Sequence, residues 1–190
     1  MPVTELDPVT ALLVVDLQKG VMGMPVQPSP DAVLANAVRL IGAFRSHGLP
    51  VVLINAAGGA PGRTEFSAAM AAIARPEGWD ELVPELGAQA GDILITKRTW
   101  GAFTGTGLDE QLRARDVTQV VVVGIATSAG VESTARQAHE HGYHVTLATD
   151  AMADRSPEVH ANSIAAIFPR VGETGTTDEV LALLEATRAR

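Results

Sequence analysis

Leu12-Leu13-Val14-Val15-Asp16 is the stretch on which the fold turns, four apolar residues in a row that end at a carboxylate. A strand with one face in water alternates apolar and polar side chains, whereas a strand covered on both faces reads as an unbroken apolar run. Runs of the same kind recur at Val51-Val52-Leu53-Ile54, Asp92-Ile93-Leu94-Ile95, Val120-Val121-Val122-Val123 and His144-Val145-Thr146-Leu147-Ala148. Segments of helical character lie between them. Ser29-Pro30-Asp31 supplies an N-cap, a proline at the first helical position and an acid in the first turn, for a helix running to about His47 and closed by Gly48. Leu108 to Arg115 predicts a short helix, Ser128 to His141 another that ends at Gly142, and Ser156-Pro157-Glu158 repeats the start signal for a helix to about Ile167. A short strand is expected near Val171, and Thr176 with Glu179 forms a capping box for the last helix. The Gly- and Pro-containing section from Ala56 to Gly91 is expected to hold a short helix around Phe66 to Ala74.

Buried strands separated by helices predict an α/β protein, a three-layer α/β/α arrangement around a central, mainly parallel sheet of Rossmann-type topology. No internal repeat, low-complexity tract or linker divides the chain, so residues 1–190 are read as a single domain. A hydrophobic content of 46% suffices for a substantial core. The formal charge of -8, without a basic patch, argues against a nucleic-acid partner, because that binding depends on Lys and Arg neutralising phosphates. The absence of cysteine excludes disulfides, thiolate metal sites and thiol redox chemistry. Neither a basic segment followed by an apolar run at the N-terminus nor a bilayer-length apolar stretch is present. A cytoplasmic protein without a signal peptide or membrane partner is therefore expected.

In such sheets ligands bind beyond the carboxyl ends of the strands. That rule selects Asp16 and Gln18 after the first strand, Asn55 after the second, Lys97 after the third, the Gly124 to Gly130 turn after the fourth, and Asp150 after the fifth. Asp16 is expected at the rim of the core, where desolvation raises its pKa and a nearby cation, Lys97, lowers it. Such a carboxyl serves as general acid or base near neutral pH, and equally as half of a structural ion pair. Gln18, Met22, Met24, Arg63, Phe66, Trp100 and Phe103 are candidates to line a substrate pocket. Trp79 reads as a loop anchor or a dimer contact. His139 and His141 point to different helix faces, with Gly142 before His144, which favours cationic help at a helix end over a ligand cluster. Gly58-Gly59-Ala60-Pro61-Gly62 lacks the spacing and lysine of a phosphate-binding loop and reads as a mobile loop.

Four segments in register decide between these readings. Leu12-Leu13-Val14-Val15-Asp16-Leu17-Gln18 comes first, then Lys97-Arg98-Thr99-Trp100-Gly101-Ala102-Phe103 with Gly105-Thr106-Gly107-Leu108. Gly124 to Ala135 follows, and then Gly142-Tyr143 with Asp150-Ala151. Together they resemble the isochorismatase-like hydrolases, the cysteine hydrolase superfamily, over nearly the whole chain. The resemblance implies catalytic roles for Asp16 and Lys97, a nucleophilic cysteine at the place held here by Gly130, and a non-proline cis peptide at Ile125-Ala126. It also implies an oxyanion hole of backbone N–H groups near Ala126 and Gly130, with Thr127 in the same substrate-binding turn.

Glycine has no side chain to attack a carbonyl, and Ser128 and Ser133 are read as helix-capping and helix-surface residues rather than substitutes. The resemblance to family members with glycine at this position implies hydrolysis of an enolpyruvyl ether instead. Asp16 would protonate the methylene carbon, Lys97 would hold the substrate carboxylate or tune Asp16, and Gly130 would leave room for the substrate. A catalytically silent, ligand-binding or scaffold member is the alternative. Metal-binding relatives carry an Asp-x-His cluster after the second strand, where this chain reads Asn55-Ala56-Ala57, so neither metal nor cofactor is expected. The expected partners are a small-molecule substrate and further copies of the chain, as a homodimer or higher homo-oligomer.

Overall fold

The computed structural model describes residues 2–68 and 75–188. Six strands form one parallel sheet in the order β3-β2-β1-β4-β5-β6. They are β1 (Thr10–Val15), β2 (Val51–Ala56), β3 (Ile93–Lys97), β4 (Gln119–Ile125), β5 (His144–Ala153) and β6 (Glu173–Gly175). The helices are α1 (Lys19–Met22), α2 (Pro30–Ser46), α3 (Leu108–Arg113), α4 (Glu132–Glu140), α5 (Pro157–Asn162) and α6 (Thr177–Arg188). Among the described residues no helix is long and apolar enough to cross a membrane.

Alternation along the central strands divides the core into two layers. Leu12, Val14, Leu53, Val121 and Val123 face one side, where α2 contributes Val33, Ala37, Leu40, Ile41 and Phe44 and α6 contributes Val180 and Leu184. Leu13, Val15, Val52, Ile54, Val120 and Val122 face the other, covered by Leu108 and Leu112 of α3, Ala135 and Ala138 of α4, and Phe168. The buried residues of α2 recur at helical spacing, so its apolar stripe lies along the sheet. Its start follows the sequence signal: the Ser29 hydroxyl accepts the Ala32 N–H at 3.3 Å. Ser156 caps α5 through the Val159 N–H, and Thr176 and Glu179 exchange the two hydrogen bonds of a capping box.

Three elements depart from the expected boundaries. The helix expected from Ser128 begins as a π-helical turn, Thr127–Val131, and becomes regular only at α4. The helix expected to reach Ile167 leaves α geometry after Asn162 for a second π-helical turn, Ser163–Ile167, which buries the Ser163 hydroxyl against Glu132 at 2.7 Å. The last strand lies at Glu173–Gly175, two residues beyond Val171, whose side chain is core. Of the helix expected around Phe66 to Ala74, residues 69–74 lie outside the described residues.

The carboxyl ends of β1, β2 and β4 stand level, with Val15 beside both Ile54 and Gly124. Gly124 has φ +126°, and an added Cβ would lie 2.0 Å from the Val15 carbonyl oxygen, so no other residue fits between these strands. There the β4–β5 register shifts, and β5 continues to Ala153. The peptide Ile125-Ala126 that follows is cis.

Candidate active site

Asp16 takes the position directly after β1, with its N–H donating to the Ile54 carbonyl at 2.9 Å. Its φ of +56° is left-handed, a region that Asp tolerates better than most side chains, and it turns the chain sharply off the sheet edge. Lys97 ends β3, two strands away. The ion pair between Lys97 Nζ and Asp16 Oδ2 spans 2.8 Å, and both residues are buried, Lys97 2% and Asp16 7% exposed. Lys97 Nζ also donates to the Thr99 carbonyl at 3.2 Å.

The two carboxylate oxygens of Asp16 are unlike. Oδ2 faces the ammonium, whereas Oδ1 is buried with no hydrogen-bond partner among the described residues. Burial pushes the Asp16 carboxyl up to about 6, against the charge and hydrogen bond of Lys97, which pull it down. A proton on this group resides best on Oδ1, because the ammonium stabilises negative charge on Oδ2. Gly130, in the π-helical turn after β4, completes the cluster. A Cβ placed there would lie 2.9 Å from Asp16 Oδ2, 3.0 Å from Val15 Cγ1 and 3.6 Å from Lys97 Nζ. The structure thus brings Asp16, Lys97 and Gly130 into one buried constellation at the carboxyl edge of the sheet.

The other residues selected from the sequence divide by what they touch. Gln18 is wholly buried and fully engaged: Nε2 donates to the carbonyls of Ala56 and Trp79, and Oε1 accepts the Ala56 N–H. It ties the end of β2 to the Trp79 segment. Asn55 donates to the Asp80 carbonyl and accepts from Thr96, and Asp150 accepts the N–H and hydroxyl of Thr177 at the start of α6. Phe103 is core, its ring stacked on His141 at 5.1 Å and tilted against Tyr143. Trp100, in contrast, is 63% exposed. Arg63 and Phe66 are exposed, and Met22 and Met24 are half-buried against the α2 layer. Trp79 packs over Gly20 and under the Arg75 guanidinium, which anchors its loop.

Sequence reasoning passed over the residues that hold the Gly130 turn. Asp154, just past β5, accepts the N–H and the hydroxyl of Ser128 at 2.8 and 2.7 Å. His160 Nδ1 on α5 lies 2.8 Å from the hydroxyl of the buried Thr127. Burial holds His160 below the ordinary imidazole value, partly offset by the charge of Asp154. The available signal was the apolar run Ala151-Met152-Ala153, which extends β5 far enough to put Asp154 at a strand end. The recess of about 280 Å³ lined by Glu5, His139, Tyr143, His144 and Arg170 includes none of these residues; it lies where β4 and β5 begin.

A family model described as the isochorismatase domain matches residues 10–179. An uncharacterized isochorismatase family protein of Bacillus subtilis is 45% identical over 177 residues, covering 90% of this chain and 92% of its own. The ureidoacrylate amidohydrolase RutB of Variovorax paradoxus is 35% identical over 170 residues, 75% of this chain and 68% of its own. The structure of an isochorismatase family protein from Burkholderia thailandensis superposes with a TM-score of 0.88 at 38% identity, covering 95% of this chain and 98% of that one.

Proposed function

The chain belongs to the isochorismatase family, a family of hydrolases, and from that premise we propose that it hydrolyses a small carboxylated enol ether of the isochorismate type. Asp16 is the general acid and no covalent intermediate forms. The observation that carries the reading is Gly130: the position facing Asp16 Oδ2 and Lys97 Nζ bears no side-chain atom, in a chain without cysteine. Amide hydrolysis through an acyl-enzyme has no nucleophile there, whereas vinyl-ether hydrolysis needs an acid and a water.

The steps follow from the raised carboxyl of Asp16. The carboxyl proton of Asp16 moves to the methylene carbon of the enol ether, whose π electrons form the new C–H bond and leave an oxocarbenium ion. Water adds to the oxygen-bearing carbon of that ion and returns a proton to Asp16. The hemiketal then breaks its bond to the alcohol oxygen, which takes up the hydroxyl proton, releasing pyruvate and the alcohol. With the carboxyl at about 6, roughly one tenth of the molecules carry the proton at pH 7. Lys97 limits how far burial raises that value and offers positive charge for the substrate carboxylate. The exposed Trp100 and Arg63 contribute to substrate binding, with Met22 and Ala126; the buried Gln18, Phe103 and Thr127 act from behind as framework. The working protein is a cytoplasmic homodimer or larger homo-oligomer, a point for light scattering.

The test is incubation with isochorismate, parent beside Asp16→Asn, with pyruvate release followed. Release by the parent and not the variant supports the reading. The relationship to a ureidoacrylate amidohydrolase makes ureidoacrylate the second substrate in the same assay. Turnover of ureidoacrylate without pyruvate from isochorismate would replace this reading with water-mediated amide hydrolysis. Turnover of neither would remove both readings and leave a different substrate or a catalytically silent, small-molecule-binding or scaffold member of the family.

A further inference from the structure

We infer that His160 is a positioning residue for Asp16: through Thr127 it holds the turn that carries Gly130 against the Asp16–Lys97 pair. Three polar links join that turn to the chain after β5. Thr127 Oγ1 pairs with His160 Nδ1 at 2.8 Å, Ser128 binds the Asp154 carboxylate through N–H and hydroxyl, and Ser163 donates to Glu132 at 2.7 Å just where α4 begins. The first is made by Thr127, which is wholly buried and lies inside the turn itself, whereas Ser163 meets Glu132 of α4. A hydroxyl with no access to water has no substitute partner if the imidazole is removed, so the turn must shift or carry an unsatisfied group.

The turn matters to Asp16 because it forms one wall of its cavity. A Cβ at Gly130 would lie 2.9 Å from Oδ2, so the Gly130 backbone stands close over the carboxylate. With that wall in place Asp16 is 7% exposed. Displacing it admits water, and hydration favours the ionised form. The charged group acting on His160 from another element is Asp154 at the end of β5; Glu158 is its acidic neighbour on α5, and Glu132 is engaged by Ser163 and Arg136. At Asp16 the acting charge is Lys97.

The experiment reads Asp16 itself and does not depend on any substrate. Protein carrying carbon-13 at aspartate carboxyls is titrated by NMR, with the Asp16 signal assigned by its loss in Asp16→Asn. The parent midpoint is expected at about 6. In Thr127→Val, which keeps the shape and removes the hydroxyl, and in His160→Ala, the midpoint falls toward the ordinary carboxylate range. Thr127→Ser and His160→Asn, which retain a hydrogen-bonding group, restore it. A merely structural docking of α5 would lower the melting temperature and leave the midpoint alone. An unchanged midpoint in Thr127→Val or in folded His160→Ala, or a loss in Thr127→Ser equal to that in Thr127→Val, overturns the inference. If His160→Ala does not fold, Thr127→Val decides. Failure to release pyruvate from isochorismate would leave this result standing, because no turnover enters it.

Discussion

Replacing Asp16 by Asn removes the carboxyl proton that the proposed reaction uses, and the pH dependence of the parent gives that loss a shape. Desolvation raises the carboxyl to about 6 and the Lys97 ammonium keeps it from rising further. The acid form therefore makes up roughly one tenth of the molecules at pH 7 and about one hundredth at pH 8. If the protonated form is the active one, kcat/KM is flat below the midpoint and falls about tenfold per pH unit above it. Asn cannot donate an acidic proton, so Asp16→Asn loses the general-acid contribution, roughly 10²- to 10⁴-fold, and leaves no inflection near 6. The assay is pyruvate release from isochorismate between pH 5 and pH 8.5, with circular dichroism to show that the variant folds. A parent rate that rises through pH 7 instead of falling would refute the assignment of Asp16 as acid. So would a variant that keeps more than about a tenth of parental activity.

Other expectations follow from the same neighbourhood. Lys97→Met removes the cation that lowers Asp16, so the midpoint of the pH profile moves above 6 while kcat/KM at the plateau drops, measurable in the same assay. Gly130→Ala puts a Cβ 2.9 Å from Asp16 Oδ2 and 3.0 Å from Val15 Cγ1, and should cost about 1–3 kcal/mol in chemical denaturation, as overpacking does. Because the folded-state pKa of Asp16 lies above its unfolded value, its proton stabilises the native state below about 4, and that contribution is lost as pH rises through about 6. The difference amounts to ~3 kcal/mol between the two ends of that window, and a pH series of urea melts should show it in the parent and not in Asp16→Asn. Thr176→Ala breaks the capping box at the start of α6 and should destabilise by about 1 kcal/mol without changing the pH profile, as differential scanning calorimetry would show.

Much of this architecture is written locally. The unbroken apolar runs at Leu12–Val15, Val51–Ile54 and Val120–Val123 mark strands buried on both faces, and the sheet places them at its centre. The starts at Ser29-Pro30 and Ser156-Pro157 and the Thr176/Glu179 box act through hydrogen bonds spanning three residues, so they are readable without the fold. The strand-end rule likewise selects Asp16, Lys97 and the Gly130 turn, because a parallel sheet brings all its carboxyl ends to one edge.

Side-chain direction at that edge is another matter. Phe103 sits six residues after Lys97 yet stacks on His141, since the chain between them turns over the α4 layer. Gln18 is two residues from Asp16, but its amide is spent on backbone groups of Ala56 and Trp79. The two π-helical turns, the left-handed Asp16 and the Thr127–His160 link between positions 33 apart have no local cause in the residues that form them. Periodicity and caps, whose energies are exchanged within a few residues, determined the elements and their order from sequence alone. Which carboxylate oxygen is left unpaired, and how far burial outweighs Lys97, depended on groups from β1, β3 and the turn after β4 meeting out of water, and only the tertiary structure decided that.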